Sequence, residues 1–224
     1  MNAESPTPYA AWAVFVDFDG TITDGDTFDV LVRHFAGDAE WNETDRGLDA
    51  GARSLRDVLA RQAALVRGEL AEVAALLRRE IAVDPAFAPF VGACREHGIP
   101  VTIVSSGLDA IVRDRLREIG LDDLPVIANA VDARPDGWTI RFRDDVANGT
   151  DKAAVLRAAR ADGTRTVFVG DGRSDYDAAR EADVRFAKRG LDLESYLVKL
   201  DIPCEPFVTF ADVRARCATL GIVP

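Results

Sequence analysis

Two aspartates one residue apart follow directly on an apolar stretch near the start of the chain. Trp12 to Val16 is followed by Asp17-Phe18-Asp19-Gly20-Thr21, and the apolar stretch predicts a buried strand. Side chains alternate along a strand, so Asp17 and Asp19 would share one side until Gly20 turns the chain. Ligands of open α/β sheets bind in the crevice beyond the carboxyl ends of the strands. The pair is therefore expected to meet a bound substrate.

The two acids have the chemistry that phosphoryl transfer requires. One carboxylate can attack phosphorus and form a covalent aspartyl-phosphate, while a second can protonate the leaving oxygen and later activate water. Two adjacent carboxylates also attract a hard cation such as Mg²⁺. The pentapeptide alone also allows a turn-forming or capping pair, or the metal clamp of a nucleotide-sugar transferase.

A second apolar stretch ends in hydroxyl groups. Val101 to Val104 is followed by Ser105-Ser106-Gly107, just before a predicted helix at 108–119. Hydroxyls and backbone N–H groups at a helix start can hold phosphate oxygens. Capping of the helix by either serine is the alternative for this segment.

A third segment, Asn148-Gly149-Thr150-Asp151-Lys152, predicts a helix start with Thr150 as N-cap. Lys152 would then lie in the first turn, where the helix macrodipole disfavours a cation. A cation held in that position indicates an anion in front of it. The alternative is a solvated surface lysine.

A fourth segment again places acids after an apolar stretch. Thr166 to Val169 is followed by Gly170-Asp171-Gly172-Arg173-Ser174-Asp175. Asp171 is interpreted as a metal ligand and Asp175 as an acid behind it, on one face if the turn between them is helical. Capping of the next helix by Ser174 or Asp175 is the alternative.

Together these four segments resemble the haloacid dehalogenase superfamily of phosphatases. The resemblance implies that Asp17 is the nucleophile and Asp19 the general acid/base. It implies a Mg²⁺ cofactor held by Asp17, the backbone carbonyl of Asp19, and Asp171, with Asp175 behind the metal ligands. The phosphate-binding residues that it implies are Thr21, Ser105, Ser106, Gly107 and Lys152.

The fold class expected is α/β, a Rossmann-like parallel sheet with helices on both faces and an inserted α-helical cap. Between Thr27 and about Phe90 we find helical periodicity and no convincing strand. This segment separates the first two strands, where the family carries its cap. We therefore divide the chain into core (1–34), cap (35–85) and core (86–224). Pro125 to Arg143 predicts a hairpin.

Substrate recognition is expected from residues near the cap. Asp26 occupies the place where phosphoserine phosphatases, a similar branch, have a glutamate that faces the substrate amine. Arg56 and Arg61 are candidates for binding a substrate carboxylate. The segments 21–26 and 204–210 resemble the branch containing the phosphatase of 2-hydroxy-3-keto-5-methylthiopentenyl-1-phosphate in methionine salvage. We expect that compound as substrate; phosphoserine or another amino-alcohol phosphate is the alternative.

The composition of the chain limits the partners and the compartment that we expect for it. The net charge of −11 at pH 7 argues against a nucleic-acid or anionic-membrane partner. The segment 1–11 lacks the basic and apolar regions of a signal peptide, and three widely spaced cysteines are typical of a reducing compartment. We expect a cytoplasmic monomer or homodimer. Asp19 favours a hydrolase over a phospho-accepting receiver, while a phosphotransferase or a non-catalytic phospho-ligand binding protein stays open as an alternative class.

Overall fold

The computed structural model describes residues 12–49 and 51–223, with only the backbone of residues 45, 46 and 49. Residues 1–11, which lack the features of a signal peptide, therefore lie outside the described residues. Seven strands form one sheet in the order β4-β3-β2-β1-β5-β6-β7. The strands are β1 Trp12–Val16, β2 Val101–Leu108, β3 Val126–Asp132, β4 Thr139–Arg141, β5 Arg165–Gly170, β6 Val184–Lys188 and β7 Glu205–Phe207.

The register of the sheet brings three of the four chemically interesting segments together, the first, the second and the fourth. β1 pairs in parallel with β2 and with β5. Val16 lies opposite Ile103 on one side and opposite Val169 on the other. The residues that follow these strands therefore meet at one edge of the sheet, as expected for a parallel α/β core.

Helices cover both faces of the sheet, as expected. The helices are α1 Thr27–Ala36, α2 Asp38–Asp49, α3 Leu55–Leu65, α4 Leu70–Glu80, α5 Phe87–Glu96, α6 Asp109–Glu118, α7 Lys152–Ala161, α8 Tyr176–Glu181, α9 Asp192–Lys199 and α10 Phe210–Thr219. Val14 and Val16 pack on one side of the sheet with residues of α5 and α10. Ala13 and Phe15 pack on the other side with residues of α7, α8 and α9. Alternation along β1 thus fills two separate apolar layers.

The segment between β1 and β2 consists of α1 to α4, which confirms that the insertion is helical. Phe28 and Leu31 of α1 share a buried cluster with residues of α3 and α4. The core–cap boundary predicted at residue 35 therefore falls inside a helix that packs with the cap. The two connections between core and insertion lie next to each other, since Thr23 and Val83 form an isolated antiparallel bridge.

The predicted hairpin is confirmed, and it also supports the cap. β3 and β4 pair antiparallel, with Asp132 opposite Thr139. Trp138, which is 1% exposed, joins the apolar cluster of the cap, and its indole nitrogen donates to the Gly68 carbonyl at 3.0 Å. The hairpin therefore anchors the loop between α3 and α4. Among the described helices, none has the length and apolar character needed to cross a membrane.

Replacing Trp138 by alanine is expected to lower the free energy of unfolding by about 3–5 kcal/mol, because it empties a buried site between hairpin and cap. Trp138→Phe, which keeps a ring but loses the hydrogen bond to Gly68, should lose less. Urea denaturation of both variants measures the difference. Equal stability of Trp138→Ala and the parent would show that the hairpin does not support the cap.

Candidate active site

The edge of the sheet opens into a cavity of about 240 Å³ between the core and the cap. From the core, its lining includes residues that follow β1, residues at the end of β2, and residues after β5. The predicted site residues among them are Asp17, Asp19, Ser105, Ser106, Gly107 and Asp171. The structure thus brings the first, second and fourth segments to one surface.

Lys152 is a buried cation that joins two of these segments from behind. Its side-chain nitrogen lies 2.7 Å from Asp17 Oδ1 and 2.7 Å from Asp175 Oδ1, and it donates to Ser174 Oγ at 3.0 Å. The residue is only 2% exposed, so the surface-lysine alternative is wrong. Burial alone would lower the pKa of Lys152, but the two carboxylates raise it above its ordinary value. The ammonium group therefore stays charged.

The helix start before Lys152 differs from the prediction. Asp151, not Thr150, caps α7, since its carboxylate accepts from the Ala154 N–H at 2.8 Å. Thr150 instead donates its hydroxyl to the Ser105 carbonyl at 3.0 Å. The prediction of Thr150 as N-cap was wrong because a tertiary partner competes for its side chain.

Ser105 and Ser106, in the second half of β2, do not cap the following helix. α6 begins at Asp109, and its N-cap Leu108 makes no side-chain capping bond. Ser105 Oγ accepts from the Gly107 N–H at 2.9 Å. A Cβ at Gly107 would lie 2.6 Å from Asp19 Oδ2, so glycine permits the close approach of this loop to the second aspartate.

Asn129 holds the same loop in place and was not identified from the sequence. Its side-chain nitrogen donates to the Ser106 carbonyl at 2.8 Å, and its oxygen accepts from the Arg143 N–H at 3.0 Å. The side chain is fully buried. A single asparagine on β3 carries no local sequence pattern that would reveal this contact. The contact follows from the pairing of β3 with β2, which brings Asn129 next to the Ser106 carbonyl.

Asp19 is held by Thr27, which sequence reasoning also missed. The backbone N–H of Thr27 donates to Asp19 Oδ1 at 3.0 Å, and its hydroxyl donates to the same oxygen. Burial raises the pKa of Asp19 above its ordinary value, and the two hydrogen bonds from Thr27 oppose that shift. The first residue of α1 thus fixes the second acid.

Asp175 holds the backbone of the loop that carries Asp171. Asp175 Oδ2 accepts from the N–H groups of Asp171 and Gly172, each at 3.0 Å, while Oδ1 meets Lys152. A 3₁₀ turn, Arg173–Asp175, places the two acids on one side. Asp175 is fully buried and shapes the loop, and the capping bond predicted as its alternative role is not formed at α8.

Thr21 is directed to the fourth segment rather than into the cavity. Its hydroxyl donates to Asp171 Oδ1 at 2.6 Å, and it is absent from the described lining of the cavity. The turn that contains it is fixed by Lys188 at the end of β6, whose nitrogen donates to the carbonyl oxygens of Gly20, Thr21 and Thr23 at 2.5 to 3.3 Å. The sequence analysis did not identify Lys188.

The acids fit a hard divalent cation. One carboxylate oxygen from each of Asp17, Asp171 and Asp175 lies within 4.8 Å of the others. Gly20 has φ of +73°, and a Cβ there would collide with the Asp171 carboxylate. Oxygen donors in this number suit Mg²⁺, and Asp175, already bonded to Lys152 and two N–H groups, is the least available of the three.

The predicted specificity residues divide into two groups. Asp26 lines the cavity, and it also caps α1 by accepting from the N–H groups of Phe28 and Asp29 at 2.7 and 3.2 Å. The structure does not bring Arg56 and Arg61 to the cavity lining. Their partners are acids or carbonyls elsewhere: Arg56 ion-pairs with Asp145 and donates to Asp144 O, and Arg61 ion-pairs with Glu40 and Glu43.

The sequence profile of the haloacid dehalogenase-like hydrolases matches residues 14–180. Pdp3-interacting factor 1 of Schizosaccharomyces pombe is 35% identical over 90% of this chain and 92% of that protein. Polyol phosphate phosphatase PYP1 of Saccharomyces cerevisiae is 29% identical over 90% of each chain. The 2-hydroxy-3-keto-5-methylthiopentenyl-1-phosphate phosphatase of Geobacillus thermodenitrificans is 31% identical over 94% of this chain and 97% of that protein.

A phosphoserine phosphatase, solved as an analogue of its phospho-aspartyl intermediate, has the same fold. The TM-score is 0.71, with 21% identity over 93% of this chain and 99% of that structure. The likeness covers cap and core together, which confirms the expected fold.

The acid cluster predicts a pH-dependent stability of the metal-free protein. Burial, then the charge of Asp175, raises the pKa of Asp171 to about 7, against about 3.8 in the unfolded chain. Between these values the folded state binds more protons, so stability falls as pH rises toward 7. In chelator, Tm should therefore fall from pH 5 to pH 8, and excess Mg²⁺ should restore Tm most at pH 8.

Asp171→Asn should flatten that pH dependence in chelator, whereas Asp122→Asn, which changes an exposed carboxyl, should keep it. Thermal denaturation across the pH range measures both variants. An identical slope for Asp171→Asn and the parent would contradict the assignment of the effect to this carboxyl group.

Proposed function

Because the chain belongs to the haloacid dehalogenase-like hydrolases, we propose that it is a Mg²⁺-dependent phosphomonoesterase acting on a small phosphorylated metabolite through an aspartyl-phosphate on Asp17. One observation carries the proposal: Asp17 and Asp19 line one cavity, with a buried lysine 2.7 Å from Asp17. This arrangement combines a nucleophile, a proton donor and a fixed positive charge.

Asp17 would attack phosphorus as the P–O bond to the alcohol breaks. Its carboxylate is fixed on one side by Lys152, so the other oxygen is the one available to react. Burial, then the charge of Asp175, raises the pKa of Asp17 well above its ordinary value. Lys152 opposes that shift and helps keep the nucleophile ionised.

Asp19 would give a proton to the departing alkoxide. In the second step it would take a proton from the attacking water, while the bond between phosphorus and Asp17 breaks and inorganic phosphate leaves. Thr27 holds Oδ1 of Asp19, and Oδ2 faces Gly107 across the cavity edge. The raised pKa of Asp19 suits a group that must carry a proton in the first step.

Asp17, the Asp19 carbonyl and Asp171 would hold Mg²⁺, which supplies positive charge that offsets repulsion between the acids and the phosphoryl group. Ser105, through its hydroxyl, and the N–H group of Ser106 would hold phosphoryl oxygens, while the Gly107 N–H donates to Ser105 Oγ at 2.9 Å and orients that hydroxyl. Thr150 and Asn129 fix the carbonyls of this loop, which directs its remaining polar groups toward the substrate.

The methionine-salvage ester, 2-hydroxy-3-keto-5-methylthiopentenyl-1-phosphate, is our candidate substrate. Relatives with that printed activity match most of this chain. The cap wall of the cavity also offers apolar side chains, including Leu48, Leu55, Val58 and Leu59, where a methylthio group could pack. Polyol phosphates are a second candidate, since a relative with that activity covers 90% of this chain.

Phosphoserine, the alternative substrate, finds less support. Its carboxylate would require a cation, and the cap residues described in the cavity lining include no arginine or lysine. Arg56 and Arg61, the candidates for that role, have partners elsewhere. Other amino-alcohol phosphates lack this requirement.

Phosphate release from a panel of phosphate esters tests the proposed reaction. The panel contains the methylthiopentenyl phosphate, polyol phosphates, phosphoserine and phosphoethanolamine, each assayed with Mg²⁺ and with chelator. Turnover should require Mg²⁺ and disappear in Asp17→Asn, a near-isostere without nucleophilic charge. Release by folded Asp17→Asn at a rate near the parent would overturn the covalent mechanism, and no release by the parent would favour a phosphotransferase or a non-catalytic binder.

Asp19→Asn should slow turnover by roughly 10²–10⁴ while leaving the fold intact, because it removes proton transfer at both steps. Rates on esters with good leaving groups, such as 4-nitrophenyl phosphate, should fall less in the first step, since that alcohol departs without a proton. Burst kinetics separates the two steps. A uniform change of only a few-fold for all esters would exclude Asp19 as the acid/base.

A further inference from the structure

Lys188, the last residue of β6, contacts the turn that follows Asp19. Its side-chain nitrogen donates to the carbonyl oxygens of Gly20, Thr21 and Thr23 at 2.5, 3.3 and 3.1 Å. β6 pairs with β5, and β5 pairs with β1, so the side chain reaches across the end of β5. Lys188 therefore joins β6 to the turn after β1, although the two strands are not neighbours in the sheet.

The three carbonyl groups depend on this lysine for their hydrogen bonds. The N–H groups of the same turn bond elsewhere, since those of Ile22 and Thr23 donate to the Phe18 carbonyl at 2.9 and 3.2 Å. No backbone N–H of the described residues donates to the carbonyls of Gly20, Thr21 or Thr23. A lysine ammonium has three N–H donors and no acceptor, which matches three carbonyls that meet at one nitrogen.

Acids lie near the ammonium group, but its described hydrogen bonds are with carbonyls. Burial lowers the pKa of Lys188 from its ordinary value, and the charges of Asp171, Asp84 and Asp24 oppose that shift. The nitrogen bonds to the backbone of the turn instead of to these carboxylates. Lys188 therefore affects both the charge around the turn and its shape.

The turn held by Lys188 contacts Asp171, one of the proposed Mg²⁺ ligands, through two residues. Thr21 donates its hydroxyl to Asp171 Oδ1 at 2.6 Å. Gly20 lies so close to the same carboxylate that a Cβ there would be 2.4 Å from Oδ2. The Gly20 carbonyl is also the next one along the chain after that of Asp19, another proposed ligand. A shift of the turn would therefore displace the Asp19 carbonyl and break the contacts that hold Asp171.

Lys188 has two effects on a bound cation, and they have opposite signs. As a positive charge it repels the cation, so its removal would tighten Mg²⁺ binding. As an anchor of the turn it holds ligands in place for Mg²⁺, which demands a near-ideal octahedral arrangement. Removal of that anchor would weaken binding, and groups that orient metal ligands typically contribute about 10–100-fold to metal affinity or activity. Three hydrogen bonds to one turn make the anchoring effect the larger one.

We propose that Lys188 is a positioning residue of the Mg²⁺ site, which holds the Asp19 carbonyl and Asp171 in place by anchoring the turn after β1. Its effect on turnover rests on the proposed function, whereas its effect on metal binding requires no turnover. The role differs from that of Lys152, which contacts carboxylates directly. Lys188 acts through the backbone.

Binding of Mn²⁺, which suits the same oxygen ligands, tests the metal site in the absence of substrate. The electron paramagnetic resonance signal of free Mn²⁺ gives the Kd, and competition by Mg²⁺ identifies the site. Lys188→Met removes the charge and all three hydrogen bonds, and it should raise the Kd by about 10–100-fold. Lys199→Met, which removes an exposed lysine at the end of α9, should leave the Kd unchanged.

An unchanged or lower Kd for folded Lys188→Met would overturn the proposal. A lower Kd would show that repulsion by the charge is the larger effect, and a lower Tm with an unchanged Kd would show that Lys188 only supports the fold. Lys188→Gln serves if Lys188→Met does not fold. Its amide is uncharged and one atom shorter but still donates N–H groups. Its Kd should rise by at least about threefold, and a Kd equal to that of the parent would again overturn the proposal.

Kinetics at saturating Mg²⁺ tests the effect on the reaction. The kcat of Lys188→Met should fall by about tenfold or more, while the KM of the ester should stay within about threefold of the parent value. The reason is that Lys188 makes no described hydrogen bond to Ser105 or Ser106, which would hold the phosphoryl group. A rise in KM with an unchanged kcat would contradict a positioning role.

The two measurements also separate this proposal from the proposed function. Weaker Mn²⁺ binding by Lys188→Met, together with no phosphate release by the parent from any ester, would support the metal-site role and reject the phosphatase. Mg²⁺-dependent turnover by the parent, together with unchanged Mn²⁺ binding by Lys188→Met, would support the phosphatase and reject the role of Lys188.

Discussion

The ion pairs of buried Lys152 with Asp17 and Asp175 are the interaction on which the site depends. Two carboxylates lie 2.7 Å from the lysine nitrogen, and all three groups are almost fully buried. Breaking a buried pair by removing one partner typically costs about 3–5 kcal/mol, because the other charge stays unpaired. The lysine therefore joins the segments after β1 and β5 to the start of α7.

The loops around these charges are held mainly by side chains that donate to backbone carbonyls. Thr150 binds the Ser105 carbonyl, Asn129 binds the Ser106 carbonyl, and Lys188 binds three carbonyls of the turn after β1. With these carbonyls satisfied, the Ser106 hydroxyl is left without a hydrogen-bond partner in the lining of the cavity. The loops that carry the proposed reacting groups are thus positioned by a shell of polar side chains around the acids.

The sequence predicted the parts of this arrangement that have a local pattern, which are the strands, most helices and the acids at strand ends. The helical periodicity found between Thr27 and about Phe90 does not single out α2, because that helix has few apolar side chains, with Trp41 and Leu48 at its cavity side. The sequence analysis missed Thr27, Asn129 and Lys188, whose partners lie far along the chain or depend on a turn. The assignment of Thr150 as a cap failed for the same reason, since its partner Ser105 is 45 residues away.

The proposed reacting groups and the residues that would select the substrate lie on different parts of the fold. The reacting groups are held by the central strands, whose register is fixed by apolar pairing on both sides of β1, so their geometry leaves little room for change. The cap side of the cavity is formed by helices whose residues contact one another. The Trp41 indole, for example, donates a hydrogen bond to Asp29. A residue on α2 or α3 can therefore alter the charge and polarity met by the organic part of a substrate, while Lys152 and the acids around it stay in place.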